Sequence, residues 1–590
     1  MTQCYENLSQ PTAMLGLRAS TAIMPACGRG IAPTRPDATS WAFAHFTGKA
    51  CEALLRNAPE NRAQKTSPLS MFRPSWRMEG ASAAIEAELS MSLPGSGLLD
   101  SIEIVDAQAR SAAIRRARAR GVRLPTFSQL AGITPIPADI TANLQGVDPD
   151  APESDNLWRV NWFNAEDRRT LAGLPRHFVL PKALTGVDAP IVVMVGAHFP
   201  MIGAHKVLPA YAGLVTKLVS GRFDPERHRA VWPSTGNYCR GGVAISRILG
   251  CDGLAVLPEG MSRERFEWLE RWVADPSHII RTQGTESNVK EIYDACHTLE
   301  LDDSNVILNQ FSAFPNYMAH YLCTGTACGK VFENFARQAA GSRLAAFVSA
   351  TGSAGTIAAG DYLKAVYGTR IAAVEALECP TLLEGGYGEH NIQGIGDKHV
   401  PLIHNVMNLD YIIGVSDQST NALNVLFRGE SNRNALRNLL GVQRSELTSF
   451  DNVGISGFAN IVASIKLAKY MDFGPDDVIV TIATDGAQLY ESEAAAMIET
   501  HIPEDIPQND FHAMLRRCLH EPVADSVIET TGRDRRRVFN LGYYTWVEQQ
   551  GVSVEDFDAR RSQAFWKGVA SSYQAWDDLI EDFNAEVALN

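Results

Sequence analysis

From about residue 150 onward, short apolar runs alternate with amphipathic segments, and this alternation limits the fold more than any other feature of the sequence. Amphipathic segments such as SGFANIVASIKLAKYM have helical spacing at Phe458, Ile461, Val462 and Ile465. Continuous apolar strands separated by helices predict an α/β fold with mainly parallel sheets covered on both faces. The predicted strands are PIVVMV from Pro190, RAVWP from Arg229, GLAVLP from Gly253, NVILNQF from Asn305, LAAFVS from Leu344, RIAAVEA from Arg370 and DVIVTIA from Asp477.

Changes in composition divide the 590 residues into four predicted parts. Residues 1–95 are rich in Ala, Ser, Pro and Gly without sustained periodicity, which predicts a poorly ordered or peripheral extension. Residues 96–189 form a helical lead-in, and residues 190–495 hold the strands and are predicted to be the catalytic domain, with two α/β subdomains. Residues 496–590 are helical and charged, and we expect their aromatic side chains to pack on the main body or on a partner subunit.

Charge and cysteine content restrict the function. The net charge of -14 argues against a general nucleic-acid binder, and no apolar run reaches the roughly 18 residues of a membrane helix. Six arginines without an acid lie between Gln108 and Gly132, and they predict a helix with one basic face. That face is either solvated or acid-paired, or it binds RNA or phosphate. The ten cysteines include no C-x-x-C pair, which favours reduced thiols in a cytoplasmic protein, without a disulfide framework or a metal site.

Four turns carry residues suited to chemistry, and they fall at the ends of predicted strands, where ligands bind in α/β folds. They are GAHKVLPA around Lys206, WPSTGNYCRGG at 232–242, SATGSAGTIAAG at 349–360 and TIATDGAQLY at 481–490. A turn such as TGSAGT, entering a helix, either binds an anion through its backbone N–H groups or is only a tight connection. Lys206 is either a surface charge or an amine held in a pocket.

In this order and spacing the turns resemble the fold type II pyridoxal-phosphate enzymes, the family of cysteine synthase, cystathionine β-synthase and the tryptophan synthase β-chain. The resemblance runs from about residue 190 to 490 and includes STGNYCRGGVAISRILGCDGLAVLPEGMSRER, VEALECPTLL and HNIQGIGDKHVP. It implies the tryptophan synthase β-like fold, with two doubly wound α/β subdomains, pyridoxal 5'-phosphate as cofactor and a homodimer.

The resemblance also implies roles for individual residues. Lys206 would form the internal aldimine with the cofactor, His205 would lie near the phosphate, and Asn237 would hydrogen-bond the phenolic oxygen. Gly394 lies in the segment that would close over the substrate. The substrate carboxylate would be bound by Ser234, Thr235, Gly236 and Gln310. The phosphate would be cradled by Gly352, Ser353, Ala354, Gly355 and Thr356.

Two positions depart from the family pattern or leave it open. Ala354 replaces a usual glycine, and its methyl group is tolerable there if φ is negative. The family places a Ser or Thr hydroxyl at the pyridine nitrogen, and ATDGAQLY aligns either Thr484 or, shifted by one, Asp485 with it; we favour Thr484. A hydroxyl leaves the pyridine largely unprotonated, whereas an aspartate would protonate it and make a stronger electron sink.

The activity that the resemblance implies is β-elimination or β-replacement on a small amino acid such as serine, O-acetylserine, O-phosphoserine or cysteine. The reaction would pass through an aminoacrylate, which sulfide or another thiol could attack, with Lys206 as the base at Cα. Two alternatives stay open at this point: a serine/threonine dehydratase-type deaminase, and a pyridoxal-phosphate-binding subunit of a larger assembly.

Overall fold

The computed structural model describes residues 96–500, 502, 506–522 and 525–589. The segment 1–95, predicted to be peripheral, lies outside the described residues. The described part of the chain contains the eleven strands β1 His177–Val179, β2 Ile191–Val195, β3 Arg229–Pro233, β4 Asp252–Pro258, β5 Ile279–Thr282, β6 Asn305–Ile307, β7 Arg343–Ala350, β8 Arg370–Ala376, β9 Tyr411–Val415, β10 Asp477–Ala483 and β11 Val527–Glu529.

These strands form two sheets. The larger has the order β1-β2-β10-β7-β8-β9-β11 and the smaller has the order β5-β4-β3-β6. Every pair is parallel except the two edge pairs β1–β2 and β9–β11 of the larger sheet, which are antiparallel. All seven predicted strands are present, and the predicted α/β class with mainly parallel sheets is confirmed.

Helices cover the sheets and connect the strands. They are α1 Ala107–Ala119, α2 Phe127–Leu130, α3 Ala138–Leu144, α4 Lys182–Thr185, α5 Val207–Ser220, α6 Asn237–Leu249, α7 Arg263–Trp272, α8 Val289–Leu299, α9 Phe314–Ala319, α10 Gly325–Gln338, α11 Ala358–Tyr367, α12 Thr381–Glu384, α13 Asp417–Leu426, α14 Glu430–Leu440, α15 Arg444–Thr448, α16 Ile455–Tyr470, α17 Glu491–Thr500, α18 Gln508–Leu515, α19 Gly532–Tyr543, α20 Val554–Ala559, α21 Gln563–Ser571 and α22 Tyr573–Ala588. None of these helices has the length and hydropathy needed to cross a membrane.

Two interior strands and two helices are almost completely buried, and this burial requires apolar side chains on all their faces. β2 is buried along its whole length, and β10 is buried from its second residue onward, as expected for parallel strands covered on both faces. α5 and α16 are buried around almost their entire circumference, so they lie inside the protein and not on its surface. Any group at the start of α5 is therefore held by a rigid element.

Segments outside residues 190–495 also belong to this fold. β1 precedes that range and β11 follows it, so the larger sheet extends past both predicted boundaries. α22 places Trp576, Ile580 and Phe583 in the main hydrophobic core. Its Asp577 accepts hydrogen bonds from the backbone N–H groups of Phe127 and Ser128, at 2.6 and 3.0 Å, at the start of α2. The division at 190–495 stays a prediction, with the flanking segments packed into the same core.

Candidate active site

One cavity lies where strands of both sheets end at their carboxyl ends. Lys206 follows β2, the turn at 234–236 follows β3, Gln310 follows β6, and Thr484 follows β10. All but one of the residues predicted from the resemblance line this cavity, and Gly236 is the exception. The residues that line it are His205, Lys206, Ser234, Thr235, Asn237, Gln310, Gly352, Ser353, Ala354, Gly355, Thr356, Gly394, Thr484 and Asp485, together with Tyr238, Glu286, Phe311, Ala350, Ile395 and Asp397.

Lys206 is the last residue before α5, and its amine faces the cavity. Nζ donates hydrogen bonds to Gln310 Oε1 at 2.8 Å and to Ser353 Oγ at 3.1 Å. Burial lowers the pKa of Lys206 to about 8, while the nearby Asp397 and Glu286 carboxyl groups act in the opposite direction. Roughly a tenth of this amine is therefore free base near neutral pH, far more than for a lysine in water, and a nucleophile or a base requires that form.

His205 is neutral and its tautomer follows from its partners. Its Nδ1 lies 3.2 Å from the Thr484 carbonyl oxygen, which can only accept, so Nδ1 carries the hydrogen. Nε2 then accepts from the Thr356 hydroxyl at 2.9 Å. Burial, with Lys206 close by, lowers the pKa of His205 to about 3. His205 thus connects the loop after β7 to the loop after β10 without adding a positive charge.

Asn237, at the start of α6, forms hydrogen bonds with an aspartate and an arginine side chain. Its Nδ2 donates to Asp485 Oδ2 at 2.6 Å, and its Oδ1 accepts from Arg240 at 2.9 Å. Asp485 also accepts from the Tyr490 hydroxyl at 2.7 Å, and Tyr490 accepts from Arg265 at 3.1 Å. The Thr484 hydroxyl oxygen lies 3.1 Å from the Ser456 hydroxyl oxygen, within hydrogen-bond distance. The amide of Asn237 therefore has a fixed orientation at the wall of the cavity.

The loop from Gly352 to Thr356 has the backbone shape that a phosphate cradle requires. A Cβ on Gly352 would lie 2.5 Å from the Gly394 carbonyl oxygen, and one on Gly355 would lie 2.2 Å from Asn316 Oδ1. Both positions therefore need glycine. The Ser353 and Thr356 side chains line the cavity here, just before α11. A free lysine amine, a fixed amide and this cradle fit pyridoxal 5'-phosphate, in which an aldehyde, a phenolic oxygen and a phosphate must be bound together.

Ala354 departs from the expectation that its φ is negative. Its φ is 62°, in the left-handed region that favours glycine, although the side chain is buried. The loop thus keeps the backbone shape that glycine normally permits, and the alanine carries the strain, which costs on the order of 1–2 kcal/mol.

Two acidic residues of the cavity were not predicted from the sequence. Glu286 follows β5, a strand that the apolar pattern did not indicate. Asp397 lies in the segment HNIQGIGDKHVP, but the sequence analysis gave it no role. Burial raises the pKa of Glu286 to about 7 and raises that of Asp397 well above its usual range. Asp397 could have been identified from the sequence, because it is an acid that directly follows Gly394-Ile395-Gly396 in the segment expected to close over the substrate.

Comparisons with known proteins identify the family. The family described as "Pyridoxal-phosphate dependent enzyme" matches residues 184–430. Cysteine synthase B of Campylobacter jejuni is 31% identical over 259 residues, which cover 42% of this chain and 75% of that protein. The chain belongs to the pyridoxal-phosphate-dependent enzymes of the cysteine synthase family. A probable cysteine synthase of Bacillus subtilis is 28% identical over 292 residues, covering 49% of this chain and 85% of the relative.

Solved structures are similar as well. A cysteine synthase from Entamoeba histolytica has a TM-score of 0.47 and 21% identity, covering 60% of this chain and 95% of that one. The identity with the Campylobacter jejuni enzyme, over 75% of that protein, confirms the recognition of the family from the four turns, and the chain is an enzyme of this family.

The first prediction concerns the loop from Gly352 to Thr356. Gly352→Ala places its methyl group against the backbone of Gly394, so the two loops must separate. We expect the Kd for pyridoxal phosphate to rise about 10- to 100-fold, since overpacking costs roughly 1–3 kcal/mol. Gly474→Ala is the matched control, because no atom lies within 4 Å of its added Cβ. Fluorescence titration with the cofactor measures both variants, and an unchanged Kd in Gly352→Ala contradicts the prediction.

The second prediction concerns pH. Protonated lysine has no lone pair, so capture of the cofactor aldehyde by the cofactor-free protein should be slow at low pH and should accelerate as pH rises through about 8, not through the ordinary value of 10.5. Borohydride trapping at a series of pH values, followed by mass spectrometry of the Lys206 peptide, measures the midpoint. Nα-acetyl-lysine in the same buffers is the control. A midpoint for Lys206 equal to that of the free analogue would show that the protein does not lower its pKa.

Proposed function

We propose that the chain catalyses β-elimination or β-replacement on a small amino acid, with pyridoxal 5'-phosphate held by Lys206. The observation that carries the proposal is the position of one amine. Lys206 Nζ reaches Gln310 Oε1, on the side proposed for the substrate, and Ser353 Oγ, in the loop proposed for the phosphate. A single lysine can therefore serve both cofactor binding and proton transfer at the substrate.

The cofactor, when bound, supplies an electron sink conjugated to the substrate Cα. The residues of the chain then divide the remaining work. The Lys206 amine takes the proton from Cα, for which its pKa of about 8 is suitable. The Ser234 hydroxyl and the Gln310 amide, 3.3 Å apart, offer hydrogen bonds to the α-carboxylate, and the Thr235 side chain lies beside them. Gly236 supports this turn at φ 141°, a backbone shape that only glycine adopts without strain.

For the pyridine nitrogen we favour Asp485, in place of the Thr484 that the sequence favoured. Asp485 contacts Asn237, the residue proposed for the phenolic oxygen, and the ring nitrogen lies only two bonds from the carbon that bears this oxygen. The Thr484 hydroxyl is instead engaged with Ser456. An aspartate at this place would keep the ring protonated and make the cofactor a stronger electron sink.

A homodimer and sulfide or another thiol as the attacking nucleophile remain predictions from the family resemblance, and a cytoplasmic location remains a prediction from the cysteine pattern. The two alternatives also remain. A serine/threonine deaminase would release keto acid even when a thiol is supplied, and a binding subunit would bind the cofactor without turnover. Product analysis of the purified protein with serine and cysteine, with and without added sulfide, separates these three functions.

The role of Lys206 is tested by absorption. The wild-type protein incubated with pyridoxal phosphate should show the visible band of a lysine-bound cofactor after dialysis, and Lys206→Ala should lose both this band and all turnover. Lys217→Ala is the matched control, since Lys217 lies on the same helix and pairs with Asp100 at the surface. A Lys206→Ala protein that keeps the dialysis-resistant band would refute the proposal.

The ring-nitrogen partner is tested by the protonation state of the cofactor. With cofactor labelled with ¹⁵N at the pyridine nitrogen, we expect a protonated ring in the wild type and in Thr484→Val, and an unprotonated ring in Asp485→Asn. The rate of Cα proton exchange should fall by about 100-fold in Asp485→Asn, since a charge that stabilises the developing carbanion is lost. An unprotonated ring in the wild type would instead favour a hydroxyl partner and restore Thr484.

A further inference from the structure

Two carboxyl groups in the cavity have no role in the chemistry described above. Glu286 is 1% exposed and Asp397 is 6% exposed, and both line the cavity beside Lys206. Glu286 Oε2 and Asp397 Oδ2 are buried and have no hydrogen-bond partner among the described residues. Leaving such an oxygen unpaired costs about 1–3 kcal/mol or more, so these groups are expected to meet a partner that enters the cavity.

The surroundings of the two carboxyl groups differ. Glu286 is supported by the Thr235 side chain, by the Gly394 backbone N–H and by the positive charge of Arg265. Asp397 has no side-chain hydrogen bond to another described residue, and its charged neighbours are Glu286 and Lys206. His205 does not compensate, because it is neutral. Two like charges in one desolvated cavity are costly, so burial, with Glu286 close by, raises the pKa of Asp397 well above its usual range and favours the protonated form of this less supported carboxyl.

We propose that Asp397 is the acid that protonates the group leaving from the substrate Cβ, and that the site therefore takes amino acids with a hydroxyl or a thiol on Cβ. This inference rests on the proposed function, since it concerns the second half of the same elimination. Asp397 lies within electrostatic reach of the amine that removes the Cα proton, on the same wall as Gly394 and Ile395. Glu286 is a positioning residue, whose charge keeps Asp397 protonated.

The proton balance is complete without any further reactant. The Cα–H bond breaks and its proton goes to Lys206. Its bonding electrons become the second Cα–Cβ bond as the Cβ–O or Cβ–S bond breaks, and the leaving atom keeps the electron pair of that broken bond and takes the proton of Asp397, so that water or hydrogen sulfide departs. In a replacement, the incoming thiol returns a proton to the Asp397 carboxylate as its sulfur bonds to Cβ.

The same carboxyl groups give no advantage to O-acetylserine and disfavour O-phosphoserine. Acetate and phosphate leave as stable anions and need no proton from an acid. A phosphate on Cβ would also bring negative charge toward Glu286, where desolvation strengthens the repulsion. Among the four substrates that the resemblance allows, serine and cysteine match the acidic cavity, and O-phosphoserine fits it least.

The test compares leaving groups in the cofactor-loaded, full-length enzyme. Pyruvate formation without a thiol, and thioether formation with added 2-mercaptoethanol, from L-serine, L-cysteine, O-acetyl-L-serine and O-phospho-L-serine give kcat/KM for each. For the wild type we expect kcat/KM with serine or cysteine to exceed kcat/KM with O-phosphoserine. For Asp397→Asn we expect a loss of at least about 100-fold with serine and cysteine, since general acid catalysis contributes about that much, and a change of less than about threefold with O-acetylserine.

Two further variants separate chemistry from structure. Asp361→Asn removes a carboxyl group that is equally buried but is bound by Tyr317, Asn405 and Asn408 away from the cavity, so it should leave the ratio of serine to O-acetylserine activity unchanged. Glu286→Gln removes the charge that keeps Asp397 protonated. The pH above which serine turnover declines should therefore move to lower values in this variant, a shift that a merely structural role would not produce.

Infrared spectroscopy provides a measurement that does not depend on turnover. The wild type at neutral pH should show the C=O stretch of a protonated, non-hydrogen-bonded carboxylic acid that Asp397→Asn lacks. If Asp397→Asn does not fold, the wild-type leaving-group series still decides, because a preference for O-phosphoserine would overturn the inference. Equal losses with serine and O-acetylserine in Asp397→Asn would overturn it as well.

The outcomes also distinguish this inference from the proposed function. A wild-type enzyme that binds the cofactor but eliminates none of the four leaving groups refutes the proposed function. An enzyme that eliminates acetate from O-acetylserine, and whose Asp397→Asn variant is impaired equally with all substrates, refutes only the role of Asp397.

Discussion

The desolvated amine of Lys206 is the constraint on which the rest of the site depends. An amine in water is almost entirely protonated at neutral pH, and only removal from water brings its pKa to about 8. The protein achieves this by placing Lys206 at the start of α5, a helix that is buried on nearly all sides. Loops from both sheets then converge on one amine, through Gln310 on one side and Ser353 on the other.

The charges around that amine are unusual for a protein interior. Glu286, Asp397 and Asp485 are all buried, and burial raises the pKa of each. Asp485 is compensated by hydrogen bonds from Asn237 and Tyr490, whereas Asp397 has no comparable support. Such groups reduce the stability of the folded state, and residues that break the rules of core packing concentrate where function requires them. The strained φ of Ala354 in the neighbouring loop belongs to the same pattern.

Much of the fold could be predicted from the sequence, and what was missed has physical reasons. Parallel strands that are buried on both faces appear as apolar runs, so β2, β7 and β10 were easily recognised. The edge strands β1 and β11 have three residues each, too few for a pattern. The basic face at α1 was predicted to be solvated or acid-paired, or to bind RNA or phosphate, and acid pairing is present at Arg110, Arg115 and Arg123. Arg116, Arg118 and Arg120 instead donate to carbonyl oxygens near the C-terminal ends of α6 and α22, which the sequence did not predict.

The sequence by itself determined the α/β class, because apolar runs of strand length are a local pattern, and its resemblance to the family pointed to Lys206 and to the glycine-rich loop at 352–356. Only the tertiary structure decided that Glu286 and Asp397 share the cavity with the predicted residues. Glu286, Asp397 and Asp485 come from turns far apart in the chain, and nothing local marks them as neighbours. The physical reason is that a pKa, or the identity of a hydrogen-bond partner, depends on the surroundings that a side chain acquires on folding. The three acids acquire their chemistry from desolvation and mutual repulsion, and both exist only after the two sheets have come together.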